Sequence, residues 1–247
     1  MSQQVTLPEV LKKAVSSGLS EVYTSIPGII VTVRDGGSSQ YVDVQPTLNI
    51  LDENGSVVER PVILNVPLQQ FSSDLGGLLV PVRVGTPCWL HFSMRGLDVW
   101  KRSNARPSTP TDDRRFNRND CYATVGVMPI QMSLQDQVKH NYSHDPNDVV
   151  VVHGLGTEQE TEIRLHVSGG VTVNTKQSVT VNSENVEVNA TATTLNSNLQ
   201  VNGTINSTGI IKSDVDVQGN TVSLVGHIHP FVGTGPGVAS TTSAPTP

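Results

Sequence analysis

Residues 162–225 read EIRLHVSGGVTVNTKQSVTVNSENVEVNATATTLNSNLQVNGTINSTGIIKSDVDVQGNTVSLV. Short apolar-x-apolar units recur through the stretch: Val171/Val173, Val179/Val181, Val186/Val188, Leu199/Val201, Val215/Val217 and Val222/Leu224. Asn, Ser, Thr and Gly fill the intervals, and the units step by roughly seven to eight residues where they are clearest. An internal repeat of this kind predicts a β-solenoid. Each unit supplies two β-branched or Leu side chains and little else. A single-chain solenoid needs turns of about 18 residues to enclose a core, so these units cannot wrap an interior alone. Three chains wound around one axis can, each giving one face of a triangular prism. Their backbones then pair between chains, which removes the lone strand edge. Val and Thr suit the extended backbone, and outward Asn, Ser and Thr keep the shaft soluble. The competing reading is a disordered linker. The regular apolar pairing argues against it, because disordered segments are poor in Val, Leu and Ile.

The shaft ends at residues 226–230, GHIHP. On a strand, positions i and i+2 point the same way, so His227 and His229 share a side. On a threefold axis they become six imidazoles in two layers of three. Six nitrogens around a point suit an octahedral first-row divalent ion such as Fe²⁺, Co²⁺ or Ni²⁺, whereas structural zinc takes four ligands. Such a site has no open position and would lock the chains together. The bland alternative is an accidental HxH in a polar tail. The tail that follows, PFVGTGPGVASTTSAPTP, carries no charge, and its glycines allow tight turns in a compact cap.

Upstream the pattern changes. Residues 6–23 predict a short helix with Thr6 as cap and Pro8 in the first turn; Leu7, Val10, Leu11, Val15 and Leu19 fall on one face. From Ser25 to about Arg102 the text is strand-like. GIIVTV, YVDVQPTLNIL, PVILNVPL, LLVPVRVG and CWLHFSM are separated by turns at Asp35-Gly36-Gly37, Asp52-Glu53-Asn54-Gly55 and Gly76-Gly77, with Pro61 and Pro67 read as strand ends. About five strands in about 80 residues predict a small barrel of the OB kind. The polar stretch SNARPSTPTDDRRFNRND should run over the surface, and CYATVGVMPIQM reads as one further strand. His140, His144 and Asp145 resemble a metal cluster, but Asn141 and Pro146 oppose a helix that would hold them, so a solvated loop is expected.

Composition excludes several classes. The 247 residues carry a net charge of -6, giving no electrostatic reason to bind nucleic acid. An OB barrel that binds single strands needs a basic groove and stacking aromatics, and aromatics are 4% of this chain. The basic residues Arg95, Lys101, Arg102, Arg106, Arg114, Arg115 and Arg118 cluster at the barrel's end and in the linker, so no nucleic-acid partner is expected. There is no long apolar run and no signal-peptide layout at the start. Cys88 and Cys121 lack zinc or disulfide-scaffold spacing and read as buried thiols. A sugar-binding or depolymerising fibre would display aromatic rows or acidic pairs. No aromatic lies between Tyr142 and Phe231, and Glu184, Glu187, Asp214 and Asp216 read as solvated charges. An HxH metalloenzyme would need a third ligand and an open position. His91, His140, His144, His153 and His166 all lie in earlier segments, so no catalytic residue and no enzyme are expected.

This layout resembles the central, membrane-piercing baseplate spike of contractile-tailed bacteriophages. The barrel is similar to the N-terminal OB domain of that phage spike family at Val42-Asp43-Val44-Gln45-Pro46, at Pro61-Val62 with Asn65-Val66-Pro67, at Gly76-Gly77, at Val84-Gly85 and from Leu90 to Trp100. The shaft and GHIHP apex resemble the short, iron-tipped spikes of Mu-like phages, so the likeness runs from about Ser25 to Pro247. The resemblance implies an all-β homotrimer: an arm (1–24), an OB-fold domain (25–103), a connector (104–160), an intertwined trimeric β-helix (161–225) and an apex (226–247). It implies one iron ion per trimer, held by six nitrogens from His227 and His229. It also implies a hub protein of the tail tube as partner, a place at the baseplate tip of the virion, and transient piercing of the host outer membrane on contraction. Some larger relatives carry a lysozyme domain after the barrel; this connector is too short for one, and it offers no paired-carboxylate site.

Overall fold

The Glu9 side chain reaches back to cap the first turn of the chain's described α-helix, α1 (Leu7–Ser20). The Thr6 backbone N–H and hydroxyl both donate to Glu9 Oε2, at 2.7 and 2.8 Å. The computed structural model describes residues 6–20, 22–52, 54–220, 222–224 and 227–228. The helix is shorter than the 6–23 expected, and its stripe of Leu7, Val10, Leu11, Val15 and Leu19 stays exposed.

The strands that follow are β1 (Ser25–Val33), β2 (Tyr41–Pro46), β3 (Ile50–Leu51), β4 (Val57–Val58), β5 (Ile63–Gln69), β6 (Phe71–Ser72), β7 (Gly77–Leu78), β8 (Pro87–Phe92) and β9 (Cys121–Val125). β1, β2, β5, β9 and β8 close a barrel in that order. All its pairs are antiparallel except β5 with β9, which run parallel. This is an OB-like five-stranded barrel. β3–β4 and β6–β7 are hairpin ears at the predicted Asn-Gly and Gly-Gly turns. Inward residues Ile26, Ile30, Val42, Val44, Ile63, Val66, Leu68, Leu90 and Ala123 make the core with the two free thiols. Burial pushes the Cys88 thiol up to about 11 and Cys121 up to about 12, so both behave as small apolar fillers.

Two expectations need correction here. Pro67 lies inside β5, opposite Tyr41, and the adjacent Leu68 N–H bonds Gln40 O at 2.8 Å instead. The barrel also does not end at residue 103: its closing strand, β9, comes from the stretch assigned to the connector. Cys121 and Ala123 point into the core, and residues 93–120 loop out to bring them back. That loop is clamped by Asp120, whose carboxylate takes Arg114 Nε (2.6 Å) and Nη2 (3.0 Å) and the Leu97 N–H (2.8 Å).

Three more strands, β10 (Val149–His153), β11 (Thr161–Leu165) and β12 (Val171–Thr175), form an antiparallel sheet. This sheet crosses the expected connector–shaft boundary at 160/161, because β11 and β12 pair back onto β10 through tight turns. These elements all belong to one compact unit ending at Thr180. The second unit, from Val181, holds only the two-residue pair β13 (Gln218–Gly219) and β14 (Val222–Ser223) among its described residues. Residues 181–217 form no strand in the single chain. Among the described residues, no helix is long and apolar enough to cross a membrane.

Candidate functional site

Alternation along β10, β11 and β12 sorts their side chains onto two faces. The cross-strand rows Val149–Leu165–Val171 and Val151–Ile163–Val173 point one way. All six are at least 48% exposed. The rows behind them are Val150–Arg164–Thr172 and Val152–Glu162–Asn174. There Glu162 and Arg164 are buried beneath the 127–148 segment. The sheet therefore hides its charges and displays its aliphatics. A contiguous apolar patch of this kind marks an interaction surface. Along the sequence the exposed series continues through Val179, Val181, Val186, Val188, Leu199, Val201, Val215 and Val217.

The covered face holds a polar cluster. Arg164 donates to both Glu162 oxygens, at 3.1 and 2.7 Å, and to Asp148 Oδ2 at 3.3 Å. Asn174 Nδ2 adds a bond to Glu162 Oε1 at 2.8 Å. Burial pushes the Glu162 carboxyl up, and Arg164 and Asn174 outweigh it, leaving the group below its ordinary value. Asp148 is lowered too, first by the Val167 N–H and then by Arg164. Glu160 Oε2 accepts the N–H groups of Asn141 (3.0 Å) and Gly156 (2.7 Å). His140 lies flat on His144, with centroids 3.9 Å apart and planes 3° apart. The His140 and Glu160 side chains are each 1% exposed, with Nδ1 and Oε1 separated by 3.9 Å. So the solvated loop expected around His140 is instead packed down; only Asp145 stays outside, accepting from Asn147 within its own turn. The missed residues were Glu160, Glu162 and Arg164. The signal for Glu162 and Arg164 was available in TEIRL, where these two share one strand face and Ile163 and Leu165 the other.

Of the expected apex ligands, His227 is half-buried and His229 lies outside the described residues. His227 Nδ1 lies 3.1 Å from Ser223 O and 3.0 Å from Leu224 O. A ring that donates Nδ1–H to a backbone carbonyl carries its lone pair on Nε2, the usual tautomer of a metal-ligating imidazole. The donor type therefore fits a first-row ion.

The basic cluster near the barrel is partly consumed by internal contacts. Arg114 is held by Asp98, Asp112 and Asp120. Lys101 Nζ donates to Asn65 O (3.2 Å) and Asn119 O (3.3 Å). The residues that carry the sequence resemblance act as latches between strands. Asp43 accepts a two-pronged contact from Arg34 and the Asn65 N–H at 2.9 Å, while Gln45 Nε2 donates to Arg60 O at 2.6 Å.

Residues 26–126 match the protein family described as the phage protein Gp138 N-terminal domain. The match ends one residue after β9, so it delimits the same closed barrel that the strand pairing defines. It covers less than half of the chain. No curated protein matches the sequence. The chain thus carries a phage-protein domain, which supports a structural phage protein and a component of the virion.

Proposed function

We propose that this chain is the repeating unit of a homotrimeric tail baseplate spike that punctures the host outer membrane during tail contraction. The observation that carries the reading is the outward aliphatic surface of the β10–β12 sheet, together with the exposed aliphatic series that follows it in the sequence through residues 179–217. Each such side chain gains about 1.5–3 kcal/mol when it leaves water. The occupant that presents a matching surface at every position is another copy of the chain, and three copies close the prism without a free edge.

The phage-protein barrel supports a collar that mates with a hub at the end of the tail tube, and the exposed stripe of α1 offers it a second contact. The HxH apex completes the device. His227 and His229 from three chains would hold one iron ion, which supplies a closed cross-link and no open coordination position. A needle needs stiffness and a narrow tip, not turnover, and no enzymatic step is assigned to it.

Light scattering on the purified chain is expected to give about three times the 26.4 kDa chain mass. His227→Ala or His229→Ala is expected to remove one ion per three chains, read by elemental analysis. A monomer in solution overturns the proposal.

A further inference from the structure

We propose that His140, Glu160 and Glu162 bind a divalent first-row transition-metal ion, one per chain, at a site separate from the apex. One donor atom from each lies within 4.8 Å of the others, the only such trio among the described residues. The geometry is that of acceptors facing acceptors. His140 Nε2 is 2.8 Å from Leu134 O, a carbonyl that can only accept, so Nε2 carries a proton and in the neutral ring Nδ1 carries the lone pair. That lone pair faces Glu160 Oε1 at 3.9 Å. Both atoms are buried and neither has a hydrogen-bond partner. Two such acceptors repel unless something positive lies between them. A gap of 3.9 Å is too long for a hydrogen bond. Two metal–ligand bonds of about 2.0–2.2 Å span it at a wide angle.

The surroundings are set for a cation. Glu160 Oε2 is fixed by two backbone N–H groups, which orient Oε1 toward the gap. His140 donates its far nitrogen to a carbonyl, the outer contact that orients metal-bound imidazoles. The face-to-face stack on His144 fixes the ring plane. Nδ1 of His144 lies 3.4 Å from Arg164 Nη1, which holds that ring in place in turn. Charge is also out of balance. Arg164 is shared between Glu162 and Asp148, and the ion pair open to Glu160 is with His140, a ring that is charged only when protonated. A buried carboxylate without a counter-charge is costly. Glu162 Oε1 is filled by Arg164 Nε and Asn174 Nδ2, whereas Oε2 takes only Arg164 Nη2 and keeps bonding capacity. One imidazole and two carboxylates suit Zn²⁺, Mn²⁺ or Co²⁺ over Ca²⁺ or Mg²⁺. The ion would pin the His140 loop onto β11, on the face opposite the exposed aliphatic rows.

The test uses the full chain produced with Zn²⁺ in the medium, dialysed, and analysed for metal. His227→Ala is expected to retain about one Zn²⁺ per chain, and adding His140→Gln or Glu160→Gln to remove it, with far-ultraviolet circular dichroism unchanged. Because an apex variant can fail to assemble, a second measurement uses the unaltered chain. Crystals are to show an anomalous peak between His140 Nδ1 and Glu160 Oε1 above the zinc edge, absent below it. Metal content unaffected by His140→Gln, or density there without anomalous signal, which marks a water, overturns the proposal. Neither result depends on whether the chain is a spike.

Discussion

At the residue scale, Gly28 in β1 shows how tightly the barrel is wound. A Cβ built there would lie 2.5 Å from Val44 Cγ1 and 3.2 Å from Gln45 O. Val44 is β-branched and has little freedom to turn away. Gly28→Ala should therefore cost about 1–3 kcal/mol of barrel stability, measured by urea unfolding followed through tryptophan emission. The Arg114–Asp120 clamp makes a different kind of demand. Burial raises the Asp120 carboxyl, but Arg114, the Leu97 N–H and Lys101 outweigh it, and the net shift is below 3.8. The folded protein thus binds this proton less readily than the unfolded chain does. Its stabilisation is present above pH 3.8 and is lost as the pH falls through the lower folded value. Arg114→Ala would leave Asp120 buried beside a missing partner, costing about 3–5 kcal/mol at neutral pH. The clearest check is the pH profile. The gap between parent and variant should narrow as both are acidified below pH 3.8, and a gap that stays constant excludes the linkage.

At the scale of elements, the sheet β10–β12 makes the sharpest claim. Ile163 sits in the middle of its exposed face, with Val151 and Val173 as cross-strand neighbours. In a lone chain, Ile163→Glu places a charge in water and should shift stability by less than about 0.5 kcal/mol. In an assembly that covers the face, the same change buries an unpaired carboxylate and should abolish association. Sedimentation velocity of Ile163→Glu against Glu158→Lys, an exposed change away from the face, separates the two outcomes. A variant that sediments like the parent removes this face from the interface. Much of this element was legible in the sequence. Alternation placed Val171 and Val173 together, and the turn residues marked the barrel's hairpins. What escaped was non-local. β9 carries a strand pattern, yet only its pairing with β5 and β8 shows that it completes the barrel and not the connector. His140 reads as a loop residue until Glu160, just before β11, and Glu162, on it, are brought beside it.

At the scale of the whole molecule, the two units hold their apolar residues differently. The barrel buries its own aliphatics and is complete in one chain. The unit from Val181 leaves Val181, Val186, Val188, Leu195, Leu199 and Val201 exposed, and residues 181–217 form no strand among themselves. On the proposed reading such a segment gains its order from other copies, since its aliphatic side chains stay exposed and residues 181–217 form no strand ladder of their own. The seven-to-eight-residue step was visible in the text; in the proposed trimer what encloses it is a property of several chains, which no single-chain fold can display. This asymmetry gives a prediction that reads both units in one experiment. Both tryptophans, Trp89 and Trp100, lie in or beside the barrel, so their emission reports on the barrel alone. Val188→Asp combined with Val201→Asp puts charges into the expected interior at two levels of the shaft. The trimeric mass should fall to that of one chain, while the tryptophan spectrum and its urea midpoint stay close to the parent's. Should the mass remain threefold, those valines do not face the common axis. Should the tryptophan signal collapse as well, the barrel is not the self-sufficient body that its closed strand order and internal core describe.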